Sequence, residues 1–505
     1  MRKLKYILLA LVSGIALSSC SNGTTNTGDS DGISNSPNVK MDKTFYNPLD
    51  IKEGVGDPWL YKHTDGYYYY THSSSGGLKV TKTKSMTLLA DNINDETRTK
   101  IIFVPKSIDR VELWAPEIFF FEGHWYSYFT LAKDISDTLE KDTSRRTYGM
   151  KSKTDDIFGE WEQAVEIKLP DDYRSIDATF FEYKDKQYIV YAGWPNATNT
   201  KYRQHLYIQE LEQGNPLKVA STDTIRHIIS EPNNIWEIDG GTAQNEGPAV
   251  GFAPDGTPIV YYSGSYSGGD NYCIAYLKLV GENLLDEKSW EKCKEPLMQK
   301  DMEYSEIIAP GHNSIVKSPD GTEDWICYHS AKKSGSGWDR QTRLQKLTWD
   351  GNTPVVEKIY KASDEAPLPS GDKPTRYKFE AELATLTDDC YVIEQEGFAS
   401  NNKTVSISNG GSISYEVKVP KNGRYALGVR YSNRDSNETK IKVCVNGQET
   451  SLFAPNTQYN DTYFINWAFI DMYIKPNNAQ NTVEIKCDSA IYIDCVVIDY
   501  LDHGK

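Results

Sequence analysis

A chain of 505 residues, 38% of them apolar, is long enough for more than one packed core, so two domains are expected. Its 71 acidic residues outnumber 55 basic ones, a net charge of −16, and no Lys/Arg cluster could follow a phosphate backbone, which sets nucleic acid aside as a partner. Aromatics make up 12%, with 34 tyrosines, and such residues suit both β-strands and the flat platforms on which sugars stack.

The chain starts with Arg2, Lys3 and Lys5 ahead of a short apolar run from Tyr6 to Leu17, the pattern of an export signal. The run is too short to span a bilayer as a helix. It ends in Leu17-Ser18-Ser19-Cys20, which resembles the bacterial lipobox. That resemblance implies cleavage before Cys20 and acylation of the new N-terminus. The expectation is an exported bacterial lipoprotein, held by its lipid to the membrane at the cell surface or facing the periplasm. An ordinary secretory signal with an incidental Cys20 is the other reading. Residues 21–42 are polar and rich in Gly, Ser, Thr and Asn, as a flexible tether is. Seven further cysteines, odd in number and without CxxC spacing, argue against a zinc site or a full disulfide framework. Buried free thiols explain most of them, and one or two bridges remain open in an oxidising compartment.

From residue 43 an internal repeat takes over. A turn followed by an aromatic-rich strand occurs five times, at 65–72, 122–130, 184–192, 255–263 and 320–330, with a period of about sixty residues. Each copy is preceded by a short strand, so each unit opens with a hairpin. Five such units without an amphipathic helix between them predict an all-β fold, a five-bladed β-propeller over residues 43–362.

Counting eight residues back from the turn reaches Asp57, Trp114, Asp177 and His312, and nine back in the fourth unit reaches Glu246. Equivalent positions in a propeller share one end of the innermost strands and face the axis, and three of these five are acids. Like charges crowded in a partly dry site cost stability, so their being in register points to function rather than to turn caps. Glycoside hydrolysis needs one carboxylic acid to protonate the leaving oxygen and one carboxylate to activate water or attack carbon. A third acid can hold their pKa values apart. With no Ser/His/Asp grouping and no phosphate-binding glycine loop, glycosidase chemistry stands ahead of protease, esterase or kinase, and no organic cofactor is implied.

The segments Gly56-Asp57-Pro58, Trp114-Ala115-Pro116-Glu117, Ser175-Ile176-Asp177-Ala178, Asn245-Glu246-Gly247-Pro248 and Gly311-His312-Asn313-Ser314 resemble, in that order, motifs of glycoside hydrolase family 43. The resemblance runs through the whole propeller. It implies an inverting mechanism with Asp57 as general base, Asp177 as the acid that tunes pKa and orients, and Glu246 as general acid. By the same resemblance His312 helps hold a metal ion or water in the central channel, with a structural histidine as the alternative. Trp114 stacks on the sugar or is simply core. Arg343 lies near the substrate or in a surface salt bridge.

Residues 363–374 are rich in Pro and charge and mark a linker. Residues 375–505 alternate apolar with polar side chains, as in Ile441/Val443/Val445, with Asn446-Gly447 as a turn, and predict a jelly-roll-like β-sandwich. Phe379-Glu380-Ala381-Glu382, the central segment 423–433 and Ile493-Asp494 resemble carbohydrate-binding modules of families 6 and 35. The resemblance implies a structural Ca²⁺ on Glu380, Glu382 and Asp494, with Asp499 the alternative to the last, since hard oxygen ligands suit calcium. It puts Trp467 in a sugar cleft, while the aromatic expected opposite is missing from 404–408.

The expected function is an exo-acting α-L-arabinofuranosidase acting on plant cell-wall glycans of arabinan, arabinoxylan or arabinogalactan type. A β-xylosidase, an endo-arabinanase or a galactan-active enzyme are alternatives within the family. A non-catalytic surface glycan-binding protein and a structural propeller are alternatives outside it. A binding protein has no need of a proton donor, and fold alone cannot choose.

Overall fold

The computed structural model describes residues 40–49, 55–74, 76–89, 98–197, 203–300, 307–362, 364–419, 423–457, 463–472 and 481–500. The leader, Cys20 and the tether up to residue 39 lie outside the described residues.

Five blades follow one another along the chain, the third and fourth joined by parallel pairing of Arg203 with Ala243 and Gln204 with Gln244. Blade 1 runs Gly56–Lys62, Tyr68–Ser73, Leu78–Thr83 and Thr99–Phe103, and blade 2 runs Arg110–Phe121, His124–Lys133, Arg146–Lys151 and Val165–Glu166. Blade 3 has Ser175–Tyr183, Lys186–Gly193 and Arg203–Glu212, edged by Asn215–Val219 and His227–Ser230. Blade 4 has Thr242–Phe252, Pro258–Gly264, Cys273–Leu279 and Trp290–Lys292, and blade 5 has Gly311–Lys317, Asp324–Ala331, Arg340–Asp350 and Thr353–Val355. The innermost strands touch in a closed ring, the first meeting the fifth.

Each sheet is covered on both faces by its neighbours, which is why the second strands read as unbroken aromatic and apolar runs. In blade 1, Tyr69 packs with Ile118 and Trp125 of blade 2, while Tyr68 and Tyr70 pack with Val316, Trp325 and Leu344 of blade 5. The other three seams are built alike, around Tyr191 between blades 2 and 3, Tyr262 between 3 and 4, and Tyr261 with Tyr328 between 4 and 5. Closure of the ring is reinforced before blade 1, where Thr44–Phe45 pairs with Ala366–Pro367 and Asn47 exchanges hydrogen bonds with Leu344, at 2.9 and 3.0 Å.

The C-terminal domain is a two-sheet sandwich around an apolar core that includes Leu427, Val443, Ile485 and Val496. One expectation about the connections is corrected. Lys40–Asp42, assigned to the tether, forms an antiparallel edge strand on Arg376–Glu380 of the sandwich. The Pro-rich 363–374 segment is clamped to the propeller, because Asp372 accepts from Ser85 Oγ at 2.9 Å and the Ser370 N–H donates to Glu323 at 2.9 Å. All seven cysteines from Cys273 onward are free thiols, and six are buried.

Candidate active site

Every innermost strand is interrupted near its start by a bulge. The positive-φ residues at these bulges that share one register are Asp57, Ala115, Asp177, Gly247 and His312, with φ of 56, 44, 53, 55 and 39°, and blade 2 has a further bulge at Glu112, with φ 55°. A bulge takes a backbone N–H out of its own ladder. Here the neighbouring blade takes it up. Asp57 N–H donates to His329 Nδ1 at 3.0 Å, Ala115 N–H to Ser73 Oγ at 2.8 Å, Asp177 N–H to Thr130 Oγ1 at 3.2 Å and His312 N–H to Ser263 Oγ at 2.7 Å. These four acceptors stand at the end of the second strand of the preceding blade. Blade 3 has Ala192 and Gly193 there, without a hydroxyl, and Gly247 N–H donates instead to Asp177 Oδ2 at 3.1 Å.

The bulges also correct the expected equivalence. Trp114 and Glu246 stand one residue before the bulge and pair within the ladder with Thr130 and Ser263, whereas Asp57, Asp177 and His312 are the bulged residues themselves. Eight residues back from Asp65, Asp185, Asp255 and Asp320 does reach the bulged positions 57, 177, 247 and 312. The count lands on Trp114 because Glu122 is the first residue of its two-residue loop whereas Asp185 is the second, and Glu246 lies nine back, one place before the bulge.

The three acids nonetheless meet on the axis, in unequal surroundings. Burial opposes ionisation of Asp57, but His312 with Nδ1 at 3.3 Å, Arg340 with Nη1 at 3.4 Å and the Ser73 hydroxyl at 2.6 Å together hold its carboxyl below the usual range. Asp177 is pushed up to about 7, first by burial and then by the nearby charges of Glu246 and Asp57, against the pull of His312. Glu246 meets neutral donors on both oxygens, Tyr272 OH at 2.9 Å and Gln204 Nε2 at 2.6 Å. Near Asp177 lies Glu117, whose carboxyl burial drives well above the usual carboxylate range, with the charge of Asp177 adding to the rise.

From Glu246 a polar chain runs outward. Gln204 Oε1 accepts from Arg174 Nη1, Arg174 Nε donates to Asp142 Oδ1 at 3.3 Å, and Asp142 Oδ1 also accepts from Arg145 Nε at 3.0 Å. The Arg145 guanidinium lies over the Trp114 ring, 3.2 Å from its centroid, and bonds Glu112. Half-buried Trp114 is thus backed on one face by a fixed cation, which leaves it rigid enough to serve as a platform.

Of the two arginines on the third strand of blade 5, the one at the acids is Arg340. Arg343 is fully buried on the face turned to blade 4, opposite Tyr328, with Nε on Ser330 Oγ at 2.7 Å. The two are three residues apart, an odd spacing that puts them on opposite faces of a strand. His312 stands between Asp57 and Asp177, with its ring against Gly247.

The sequence matches Glycosyl hydrolases family 43 over residues 46–354. The chain belongs to this family. It is 32% identical over 342 residues to an extracellular exo-α-(1→5)-L-arabinofuranosidase of Streptomyces avermitilis, covering 64% of this chain and 67% of the relative. It is 28% identical over 352 residues to an α-L-arabinofuranosidase of Humicola insolens, covering 68% and 67%. Among solved structures, the α-L-arabinofuranosidase from Lactobacillus brevis superposes with a TM-score of 0.54 at 28% identity, over 65% of this chain and 98% of that one. An exo-β-1,3-galactanase from Phanerochaete chrysosporium, at 12% identity and TM-score 0.50, covers 90% of this chain and all of its own, a likeness of fold alone.

This family 43 glycosidase carries its other expected site residues on the sandwich. Trp467 is 5% exposed and packs with Tyr46, Leu88, Ile465 and Val497 where propeller and sandwich meet, with Arg376 over its ring at 5.1 Å. Its indole fills a seam and offers no open face to a sugar. Asp499 is taken by Arg376, whose Nε donates at 2.6 Å. Asp494 accepts from Arg430, which is fully buried, and from Ser400 N and Oγ, both at 2.8 Å. Glu380 shares Ser400 Oγ, and burial raises its pKa, with Asp494 and Glu382 adding to the rise. Glu382 Oε2 is buried with no hydrogen-bond partner among the described residues. Crowded carboxylates suit a hard cation, but among the described residues the ligand atoms that converge are those of Glu380, Asp494 and Cys495, not of Glu382, and Arg430 already balances Asp494. The Cys495 thiol beside them is pushed well up by burial and stays protonated. At His312, by contrast, no set of three His, Cys, Asp or Glu ligand atoms converges among the described residues.

Arg340, Gln204, Tyr272 and His329 of the glycosidase had no signal in the linear sequence. Each reaches the acids from a second or third strand or from a strand end, so only the register of the sheets reveals it.

Proposed function

We propose that this glycosidase is an exo-acting α-L-arabinofuranosidase, releasing terminal arabinose from plant arabinan, arabinoxylan or arabinogalactan. The names of the relatives support the sugar. The observation that carries the chemistry is the unequal setting of three acids on one axis. Asp57, ionised beside Arg340 and His312, takes a proton from water as the water oxygen attacks the anomeric carbon. Glu246 gives its proton to the glycosidic oxygen as the C–O bond breaks. The cycle ends with Asp57 protonated and Glu246 ionised, and water in bulk exchanges the two protons. Asp177, bound to Gly247 N–H and charged only as the pH passes about 7, orients the pair and limits the negative charge beside Glu246. Attack by water from the face opposite the leaving group inverts the anomeric centre.

Export with a lipid on Cys20 and a structural Ca²⁺ on Glu380, Glu382 and Asp494 belong to the same proposal. The leader pattern and the unmatched Glu382 oxygen support them. The test is release of p-nitrophenol from the α-L-arabinofuranoside and the β-D-xyloside by the chain lacking residues 1–39, which keeps the Lys40–Asp42 strand, with Asp57→Asn as control. Turnover of the arabinofuranoside that Asp57→Asn abolishes is expected. Turnover of the xyloside alone would overturn the sugar assignment, and equal activity in Asp57→Asn would overturn the role of Asp57.

A further inference from the structure

The mouth also carries an aromatic corner that the hydrolytic step does not use. Each innermost strand starts beside the end of its second strand, so the loops joining second to third strands rise around the mouth. In blades 4 and 5 these loops are residues 265–272 and 332–339. Asp270 ties them together, accepting from Ser334 Oγ and from Gly335 N–H at 2.9 Å. Arg340 ties both to the acids, with Nη2 on the Ser267 carbonyl at 2.6 Å and Nη1 3.4 Å from Asp57. On this braced pair of loops stand Tyr266 and Trp338, 37% and 64% exposed, with ring centroids 6.2 Å apart and planes at 83°.

Only Asp339 separates Trp338, in the turn closed by Asp339 N–H on the Ser336 carbonyl, from Arg340, so the corner lies next to the arginine that reaches Asp57. The loop that carries Tyr266 also delivers Tyr272, whose hydroxyl holds Glu246. The corner therefore stands on the two loops that carry Tyr272 to Glu246 and Arg340 to Asp57, at the mouth through which the leaving sugar must pass. Rigid rings at a right angle present one face and one edge, and a furanose ring has a C–H face that stacks on such a surface. Asp270 commits its carboxylate to holding the two loops still, which lowers the ordering cost of stacking.

We propose that Tyr266 and Trp338 form the subsite for the sugar on the leaving-group side of the scissile bond, taking the C–H face of a pentofuranosyl unit. This rests on the arabinofuranosidase reading above. The experiment compares the full chain with Trp338→Ala and Trp338→Phe on linear α-1,5-linked arabinotetraose and on p-nitrophenyl α-L-arabinofuranoside. The ratio of kcat/KM for the tetraose to that for the aryl glycoside is expected to fall about tenfold in Trp338→Ala, mostly through KM, and to recover in Trp338→Phe. An equal loss on both substrates would overturn the inference, since Trp338 would then act only by bracing Arg340. An unchanged ratio would overturn it as well. A wild-type chain inert on both substrates would refute the arabinofuranosidase reading itself, and the inference with it.

Discussion

A single added methyl group tests how the acids are held. At Gly247 a Cβ would lie 2.9 Å from His312 Nδ1, closer than real Cβ contacts come, and a tight 3.1 Å from Cγ of the same ring, and φ there is +55°. In Gly247→Ala the left-handed backbone costs about 1–2 kcal/mol for a residue with a Cβ. Crowding a packed ring adds about 1–3 kcal/mol. At about 1.6 °C per kcal/mol for a domain of about 300 residues, the melting temperature should fall by roughly 3–8 °C. The ring can relieve the clash only by moving from the bulge, which weakens its 3.3 Å contact with Asp57, while the Gly247 N–H is the group that holds Asp177. Misplacing reacting groups by about 1 Å can cost about 100-fold, so a shift of a few tenths should lower kcat roughly tenfold. Gly123→Ala is the control, because Gly123 has φ +81° and nothing within 4 Å of its Cβ position. It should show the backbone cost without the loss of kcat. Melting curves and kcat on the aryl arabinofuranoside decide the matter. If Gly247→Ala melts and turns over like Gly123→Ala, the ring is not seated against residue 247 and the account of the site is wrong.

Asp57 acts as a base only when ionised, and Arg340 is one of the groups holding its carboxyl below the usual range. Arg340→Gln should therefore move the acid limb of the kcat/KM profile to higher pH, and an unmoved limb would detach Arg340 from Asp57. On the other side Asp177, raised to about 7, gains its charge beside Glu246 as pH rises, so activity should decline above about 7. Chelation with EDTA should lower the melting temperature of the sandwich and added Ca²⁺ restore it. Identical melts with and without the ion would refute a cation at Glu380 and Glu382.

The sequence by itself determined the repeat, and with it the architecture. Five turn-plus-aromatic-strand units of similar length demand five equivalent sheets, because each aromatic run can be buried only between two neighbours. It also determined which residue types gather at the mouth, since Asp57, Asp177 and His312 begin their strands in a shared register. What the tertiary structure alone decided depends on single-residue offsets. A bulge reverses which way a side chain points, so Trp114 and Glu246 proved to sit one place before it, an offset that only the pairing register reveals. The same two-residue period separated Arg340, at the acids, from Arg343, in the seam with blade 4. Trp467 shows the remaining limit. An aromatic that suits a sugar cleft suits a domain seam equally well, and its burial against Tyr46 and Leu88 depends on where segments far away in the chain pack, which no local pattern encodes.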